Sequence, residues 1–439
     1  MKKYEKYKDS GIEWIGEIPE HWEVKKLKYL ANVDPSNVDK KSKEGEDEVL
    51  LCNYVDVYKN DFINSDINFM KATASKSQIE KFILKKYDVI ATKDSETPDD
   101  IGNPALVIED LENVVCGYHL THIKPIDING NFLFRFFQTQ FIKSYFEVSA
   151  NGVTRYGLGI DKLNSTLIAF PPPEEQTAIA AYLDRKTAQI DELIAGKKRL
   201  LELYEEEKTA IINNVVTGKI VWNGNDWTEP AEVKDSGIEW LGEIPEHWEV
   251  KRLKNICKVR QGLQIPIEKR FLKKEEDTLE YITIRSINNP EDSKQYISNP
   301  PPNVICTKDD ILMARTGATG EPIINVEGVF HNNFFLVDFN RDLVEKMFLF
   351  YYLKSSKIKE YLLLVAGTTT IPDLNHGAFY SAPFFKFDKK EQTAIVNYIE
   401  TETARINTKA EKTKKLIELL EEYKQALISE VVTGKVKVV

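Results

Sequence analysis

A long internal repeat constrains the fold of this chain more than any other feature of the sequence. The segment DSGIEWIGEIPEHWEVKKLK, from Asp9 to Lys28, recurs as DSGIEWLGEIPEHWEVKRLK from Asp235 to Lys254 with two substitutions. Shorter repeats follow in the same order in each half, namely EQTAI at 175–179 and 391–395 and VVTGK at 215–219 and 431–435. Because self-similarity at a long spacing indicates a duplicated structural unit, we expect two copies of one unit in tandem.

The stretches between the repeated blocks differ between the two halves. They run from about Val33 to Phe170 and from about Cys257 to Phe384, and they share a faint pattern with little literal sequence. The repeated blocks form a shared frame, which is expected if both halves dock on equivalent surfaces of a symmetric partner. Divergent contents are expected if each half reads something different.

Each divergent stretch is followed by a predicted long helix. The segment from Glu174 to about Val216 contains no proline, and its apolar residues recur at steps of three and four. A helix of roughly 40 residues is about 60 Å long and cannot bury its apolar stripe alone. We therefore predict that the two helices pair as an antiparallel coiled coil, with Gly218 and Gly434 as their C-terminal caps.

Composition limits the class of protein. The chain has 439 residues, 42% of them hydrophobic, so we expect two or more domains. Its four cysteines form no CxxC pair, which fits a reducing cytoplasm, and no apolar run approaches the roughly 18 residues of a spanning helix. We therefore expect a cytoplasmic protein with no membrane partner. The formal net charge of −10 does not favour DNA binding, so a DNA-binding face would need concentrated positive charge or a partner that supplies it.

Within the divergent stretches the pattern predicts mixed strands and short helices. TLEYITIRSI and DDILMART in the second half and EVLLCNYVDV and YDVIATKDS in the first are typical of strands that end in polar tips. FLFRFFQTQFIKSYFE and FLFYYLKSSKIKEYLL are predicted to be equivalent amphipathic helices. These matches predict one fold for both divergent stretches.

The order of these blocks resembles the specificity subunits of type I restriction-modification systems. The resemblance spans essentially the whole chain, rests on the tandem GEIPEHW blocks and the paired EQTAI helices, and includes ILMARTGATG in the second half. It implies two target-recognition domains, each of which reads half of a bipartite double-stranded DNA sequence, with the long helices as a spacer. It also implies two methyltransferase subunits that modify an adenine in each half-site with S-adenosylmethionine, and two motor-nuclease subunits where restriction occurs.

We therefore predict an α+β (mixed α/β) fold in which two similar target-recognition domains are separated by two long antiparallel coiled-coil helices. This chain is expected to bind no cofactor itself and to be non-catalytic. The predicted segments are a first recognition domain at 1–172, a first long helix at 173–219, a linker at 220–233, a second recognition domain at 234–386 and a second long helix at 387–439.

In the second half, Arg315 is the strongest candidate for reading a base. It follows a hydrophobic strand and precedes Gly317 and Gly320, so its guanidinium would project from a strand tip toward a guanine, although a buried structural ion pair is the alternative. The Thr368–Thr370 loop lies before the second long helix and suits phosphate or base-edge contacts, but a plain domain-closing loop remains open. The further candidates of this half are Thr316, Thr319, Arg285, Ser286, His331 and Asn332.

In the first half the candidates are less regular. Lys93 replaces Arg315 in the equivalent segment YDVIATKDSETPDD, which lacks the small-residue turn. His119 occupies a place similar to that of His331, and the loop ANGVTRYGL is equivalent to the Thr368–Thr370 loop. The candidates for DNA contact are therefore Lys93, Ser95, His119, Thr154, Arg155 and Tyr156.

Other motifs favour structural interpretations. Asn299-Pro300-Pro301 resembles a methyltransferase motif, but Pro302 follows where an aromatic residue is needed. Cys116, His119 and His122 have spacings that suit zinc, yet strand alternation sends His119 to the opposite face and no fourth ligand is evident. The tryptophans of the repeated blocks recur in two domains of different content, so we predict that they pack rather than stack on bases; they are Trp14, Trp22, Trp240 and Trp248.

A different class of function remains open. The chain would then be a scaffold without DNA binding, which assembles partner proteins through its helices and repeated blocks. Its acidic net charge favours this hypothesis.

Overall fold

The computed structural model describes residues 2–289, 294–367 and 372–438. The chain forms two compact units, one of which comprises the residues up to Lys198 and those from Lys414 onward, while the other is Arg199–Thr413. Each unit mixes helices and strands, which confirms the predicted α+β class. The units divide both long helices, whereas the predicted segments treated each helix as a separate piece.

The first unit contains fifteen strands among the described residues. Its strands are β1 Tyr7–Asp9, β2 Glu17–Pro19, β3 Glu23–Lys26, β4 Ala31–Pro35, β5 Asp47–Cys52, β6 Phe62–Ile63, β7 Met70–Ala74, β8 Val89–Thr92, β9 Asp94–Ser95, β10 Pro104–Val107, β11 Val114–Cys116, β12 Leu120–Pro125, β13 Asn151–Gly152, β14 Tyr156–Gly157 and β15 Leu167–Phe170. Its helices are α1 Tyr54–Lys59, α2 Lys76–Phe82, α3 Gly130–Phe137, α4 Gln140–Ser149, α5 Ile160–Ser165 and the N-terminal part of α6 Pro173–Val216.

The second unit repeats this order of elements. Its strands are β16 Val221–Trp222, β17 Trp227–Thr228, β18 Val233–Asp235, β19 Glu243–Pro245, β20 Glu249–Arg252, β21 Cys257–Gln261, β22 Thr278–Ile282, β23 Tyr296–Ser298, β24 Ile305–Cys306, β25 Ile311–Ala314, β26 Pro322–Ile323, β27 Gly328–Phe330, β28 Phe334–Phe339 and β29 Pro383–Lys386. Its helices are α7 Ile284–Asn288, α8 Lys346–Lys354, α9 Ser356–Ala366, α10 His376–Ser381 and the N-terminal part of α11 Lys389–Val432.

The two units share one sheet topology. One sheet has the order β4-β12-β8-β10-β6 in the first unit and β21-β28-β25-β26 in the second, so four strands correspond and β6 is additional in the first. In both units the middle strand is apolar and fully buried, as in the runs VIAT of β8 and ILMA of β25. A parallel pair, β5 with β11 and β22 with β27, builds the second sheet of each unit. The prediction of one fold for both divergent stretches is therefore confirmed.

The helical segments after the sheets are broken, unlike the single helices that the apolar pattern predicts. α3 ends before Thr139 and α8 ends before Ser355, and both residues have extended backbone angles. Each hydroxyl donates to the carbonyl oxygen three residues earlier, at 2.6 Å from Thr139 and 2.7 Å from Ser355. Because such a side-chain bond competes with the helical ladder, each segment forms two short helices.

The repeated blocks meet at a junction in each unit. In the first unit the fully buried Trp22 donates from its indole Nε1 to Glu175 of EQTAI at 3.0 Å, and His21 Nε2 lies 2.6 Å from the same carboxylate. In the second unit, Trp248 and His247 contact Glu391 at 3.0 and 2.9 Å. The packing role predicted for these two buried tryptophans is therefore confirmed.

The neighbouring glutamine fastens the start of each long helix. The Gln176 side chain is almost fully buried, accepts from the backbone N–H of Asn129 at 2.8 Å and donates to the carbonyl of Pro171 at 2.8 Å. Gln392 accepts from the backbone N–H of Glu345 at 2.9 Å in the same way. Since a buried amide is costly unless both ends are bonded, these residues fix the direction in which each helix leaves its domain.

The third repeated block comes from the opposite half of the chain. Gly434 has φ +73°, and a Cβ atom there would meet the Pro19 ring and lie 3.2 Å from Trp22. Gly218 has φ +75° and faces Pro245 and Trp248 in the same way. Both glycines follow a long helix in the left-handed conformation, which confirms the predicted C-caps. Each unit is therefore completed by the end of the helix that begins in the other half.

The two long helices run antiparallel within each unit. In the first unit the junction brings the C-terminal end of α11 beside the N-terminal end of α6, and further along Lys424 pairs with Asp191 at 2.7 Å. In the second unit Arg405 pairs with Glu207 at 3.1 Å. Apolar side chains on the facing sides of the helices are buried, including Ile190, Ile194, Ile406 and Ile417. The predicted antiparallel pairing of the two helices is confirmed.

The segment predicted to be a linker carries a short hairpin. β16 and β17 pair around a tight turn, and the Trp227 ring stacks on Tyr398 of α11 with centroids 4.3 Å apart. This segment therefore packs within the second unit. No helix in the described part of the chain is long and apolar enough to cross a membrane.

The Gly434→Ala substitution tests the junction. It adds a left-handed alanine and a clash with Pro19, so we expect the free energy of unfolding to fall by about 3 kcal/mol in urea titrations. Gly11→Ala is the matched control, because Gly11 has φ +70° with open space around its Cβ position and carries only the backbone strain of about 1 kcal/mol. Equal effects of the two substitutions would contradict the packing of Gly434 on Pro19.

The Glu175→Gln substitution tests the charge at the same junction. Burial raises the pKa of Glu175, but hydrogen bonds from His21, Trp22 and Tyr4 outweigh it and hold the pKa below its ordinary value of 4.5. The ionised carboxylate therefore stabilises the fold above about pH 4.5, and this contribution is lost as the pH falls through the lowered pKa.

We expect Glu175→Gln to lower the free energy of unfolding by about 1–2 kcal/mol at pH 7. The difference in this free energy between the variant and the natural chain should narrow below pH 4.5. Urea titrations at several pH values measure both. Glu174→Gln, at the exposed neighbouring position, serves as the control and should change little at any pH. A difference in the free energy of unfolding that does not change with pH would show that the charged form of Glu175 is not the stabilising species.

Candidate nucleic-acid interface

Polar turns lie together at one end of the sheet β21-β28-β25-β26 in the second unit. Arg315 directly follows β25, and the turn 331–333 directly precedes β28, which is the antiparallel neighbour of β25. The Arg315 N–H donates to the carbonyl of Asn333 at 2.7 Å. The loop before α10 joins them, because the Leu374 N–H donates to the carbonyl of Arg315 at 3.1 Å. Three loops from distant parts of the sequence thus form one surface.

Arg315 is paired at this surface. Its Nε lies 2.5 Å from Asp373 Oδ1 and its Nη2 lies 2.7 Å from Asp373 Oδ2. The Asp373 hydrogen bond raises the pKa of Arg315, and the same bond lowers the pKa of Asp373. The alternative of an ion pair is therefore realised, but both side chains remain partly exposed, at 34% and 44%.

A basic groove of about 690 Å³ lies beside this pair. The N-terminus of α7 forms one side of it, where Thr283 caps the helix through the N–H of Ser286 at 3.0 Å. No carboxylate lines the groove among the described residues. Its polar lining residues are Arg270, Thr283, Arg285, Lys294, Gln295, His331 and Asn333.

A cluster of amides lies beside the groove, of which Asn332 was predicted from the sequence while Gln261 and Gln264 were missed. Gln261 at the end of β21 donates to the carbonyl of Asn332 at 2.7 Å and lies 2.8 Å from His376 Nε2. Asn332 in turn donates to the exposed Gln264 at 3.4 Å. Asparagine and glutamine amides suit bidentate contacts with adenine. The sequence signal for these residues is the RQGLQ segment, in which two glutamines lie close to a glycine. The structure explains the glycine, because a Cβ atom at Gly262 would clash with the backbone of His331.

The two histidines of this surface are biased toward the neutral form. Burial and then the nearby Arg270 lower the pKa of His331. Burial and then Arg315 lower the pKa of His376, with Asp373 acting in the opposite direction. Their rings therefore offer one donor and one acceptor each near pH 7 instead of a positive charge for phosphate.

The other predicted residues of the second half are distributed unevenly. Ser286 is buried and its hydroxyl completes the cap of α7, so it lies beneath the surface instead of on it. Thr319 donates to the carbonyl of Pro372 at 2.8 Å, while Thr316 lies next to Arg315 on the same turn. Thr368, Thr369 and Thr370 lie outside the described residues.

The first unit builds the equivalent surface with different chemistry. Lys93 follows β8 as Arg315 follows β25, and its N–H donates to the carbonyl of His119 at 3.0 Å. Its ammonium turns inward, donating to the carbonyl of Ser36 at 3.1 Å and lying 4.5 Å from the centre of the Tyr118 ring. Burial lowers the pKa of Lys93. The Lys93 side chain therefore packs against its own domain, whereas the Arg315 side chain at the equivalent position remains partly exposed.

These backbone bonds also correct an expected equivalence. His119 and Asn333 accept the same bond from Lys93 and Arg315, so they occupy equivalent positions. The turns that connect β11 to β12 and β27 to β28 each have three residues, and His331 is the first residue of its turn, two residues before Asn333. The expected equivalence of His119 and His331 was therefore wrong by two residues.

A wide groove of about 880 Å³ lies beside His119 in the first unit. His119 Nδ1 is 2.8 Å from Asp94, and Arg155 Nη2 lies 3.3 Å from the same ring nitrogen. Ser95 is buried, and Tyr156 pairs with it across β9 and β14. The lining residues are Tyr54, Asp94, Ser95, Glu96, Thr97, Asp100, His119, Thr154 and Arg155. Its carboxylates contrast with the basic groove of the second unit.

Exposed aromatic rings continue this surface and were also missed. Tyr54 and Tyr58 of α1 stack with centroids 5.6 Å apart, and Tyr118 is half exposed. A smaller recess of about 360 Å³ lies between Tyr54, Tyr118 and Met70. The signal was the helical spacing of Tyr54 and Tyr58 directly after a strand tip.

The remaining motifs keep structural surroundings. His122 is buried 2.7 Å from Asp88, whereas His119 contacts Asp94, so these residues do not converge on a metal. Within residues 2–289, 294–367 and 372–438, no group of three His, Cys, Asp or Glu side chains is arranged to hold a metal ion. Asn299-Pro300-Pro301 leads into a short 3-10 turn at Pro302–Val304.

Known proteins resemble this chain over most of its length. The sequence profile of the family described as "Type I restriction modification DNA specificity domain" matches twice, at residues 19–203 and 245–419. The type I restriction enzyme MjaVIII specificity subunit of Methanocaldococcus jannaschii is 22% identical over 96% of this chain and 94% of its own length.

Solved structures share the fold. The HsdS subunit from Thermoanaerobacter tengcongensis has a TM-score of 0.57 at 16% identity, covering 95% of this chain and 98% of that one. A chain from a structure of complex assembly and conformational transition of the type I R-M system has a TM-score of 0.72 at 16% identity, covering 95% and 99%.

The profile matches cover most of the chain and fall once in each half, where the repeated blocks and the two equivalent domains lie. The family resemblance expected from the repeated blocks is therefore confirmed. This chain belongs to the type I restriction-modification DNA specificity family, as a specificity subunit with two DNA-recognition domains.

Proposed function

We propose that this chain is a non-catalytic, cytoplasmic subunit that recognises an asymmetric bipartite DNA target. The main support is that the two units share the same repeated blocks but present different side chains at equivalent strand tips. The second unit presents Arg315 beside a groove lined by Arg270, Arg285 and Lys294. The first unit presents His119, Arg155, tyrosines and carboxylates at the equivalent place.

Different chemistry at equivalent positions supports different half-sites. Arginine matches the two acceptors of guanine, whereas carboxylates accept from the amino groups of cytosine. The divergent stretch 257–384 has 15 basic against 16 acidic residues, while the stretch 33–170 has 15 against 21. The divergent stretch of the second unit, which bears the basic groove, is therefore less acidic than that of the first.

The junctions support equivalent docking of partner subunits. Trp22 with Glu175 and Trp248 with Glu391 build the same local structure twice, so one partner surface fits both. We propose that two methyltransferase subunits, each with S-adenosylmethionine, bind this frame and modify an adenine in each half-site. Two motor-nuclease subunits would join where the system restricts DNA. The long helices would then fix the gap between the half-sites.

Selection from random duplexes tests the proposal. We expect the full chain, purified with its methyltransferase, to enrich two different short motifs at a fixed spacing from a randomised library. Mapping of methylated adenines in DNA from cells that produce both proteins should give the same two motifs. Enrichment of no sequence would favour the scaffold alternative, and methyl transfer by the isolated chain would contradict the non-catalytic role.

Arg285→Gln tests the basic groove. Each cation that contacts a phosphate contributes roughly 0.9 to the slope of log affinity against log salt, so we expect the slope to fall by about one with unchanged sequence preference. Titrations of labelled duplex at several salt concentrations measure it. Lys346→Gln serves as the control, because Lys346 follows β28 beyond the other end of the sheet. An unchanged slope for Arg285→Gln would remove it from the phosphate contacts.

A further inference from the structure

The contact between Arg315 and Asp373 uses only one edge of the guanidinium. A guanidinium has a side edge, formed by the N–H groups of Nε and Nη2, and an end edge, formed by Nη1 and Nη2. Asp373 occupies the side edge, with its two oxygens on Nε and Nη2. No hydrogen bond in the described part of the chain uses Nη1 of Arg315. The end edge therefore keeps two parallel donors.

The pair is not the only contact that holds the loop in place. Two other hydrogen bonds also hold the loop, one from the Leu374 N–H to the Arg315 carbonyl at 3.1 Å and one from the Thr319 hydroxyl to the Pro372 carbonyl at 2.8 Å. Ion pairs as exposed as this one add little to stability. What the carboxylate does control is the orientation of a long, flexible side chain at a strand tip.

We propose that Asp373 is a positioning residue that sets base specificity in the half-site read by the second domain. It holds Arg315 so that the Nη1 and Nη2 donors meet O6 and N7 of a guanine in the major groove. This inference rests on the proposed DNA-recognition function. Guanine is the base whose major-groove edge offers two adjacent acceptors, which matches two parallel donors. Fixing the side chain before binding also removes part of its entropic cost.

The first domain has no carboxylate at the position equivalent to Asp373, so the effect of Asp373 on base specificity is confined to one half-site. The carbonyls of Lys93 and Arg315 accept equivalent bonds from Leu158 and Leu374, so Gly157 stands where Asp373 does. A glycine has no side chain to orient a cation, and the Lys93 ammonium is turned toward Ser36. Substitutions at Asp373 should therefore leave the other half-site unchanged.

The test compares Asp373→Asn with a matched ion pair on the same strand. Asp310 precedes β25 and pairs with Arg341 at 3.2 Å, at the opposite end of β25 from Arg315. Full-length chains carrying Asp373→Asn, Arg315→Ala, both substitutions or Asp310→Asn are each used to select duplexes from a randomised library. Thermal unfolding of each variant separates loss of folding from loss of selectivity.

We expect Asp373→Asn to relax selection at one guanine by about 5- to 150-fold while every other position stays as selective as in the natural chain. Arg315→Ala should relax the same position, the double variant should add nothing, and Asp310→Asn should select the natural target. Uniform weakening at all positions, or unchanged selection with Asp373→Asn, would overturn the inference. Failure of the natural chain to select any sequence would instead contradict the proposed function.

Discussion

The contact of Trp22 with Glu175, closed by Gly434, is the constraint on which the rest of the first unit depends. It joins the start of a recognition domain, the start of α6 and the end of α11, which lie in three distant parts of the sequence. Trp248, Glu391 and Gly218 build the same junction in the second unit. Because each helix begins in one unit and its C-terminal cap completes the other, neither half of the sequence alone contains all the parts of its own junction.

This constraint explains why identity and divergence are distributed as they are along the chain. The junction needs an indole, a carboxylate, a buried amide and a glycine in the left-handed region, so the blocks that supply them recur nearly unchanged. Among the described residues, no hydrogen bond joins the turns at the strand tips to these groups. The turns can differ freely, and they do so between basic and acidic or aromatic linings.

Sequence reasoning predicted the frame well because its signals are local and repeated. The helices, their glycine caps and the burial of Trp22 and Trp248 follow from periodicity and duplication. The reading surface was only partly predictable, since it is assembled from turns far apart in the chain. Nothing in the ILMART segment reveals that Asp373 reaches Arg315, that Ser286 is consumed by a helix cap, or that Lys93 turns inward.

We propose that bases are read at the strand tips of both domains while the repeated blocks and long helices stay off the DNA. An experimental structure of the full chain on a duplex that carries its selected target measures this directly. We expect Arg315 of the second domain and the turn around His119 of the first domain to lie in the major grooves of separate half-sites. Base contacts made by Trp14, Trp240 or the long helices, or one domain that leaves the DNA untouched, would contradict it.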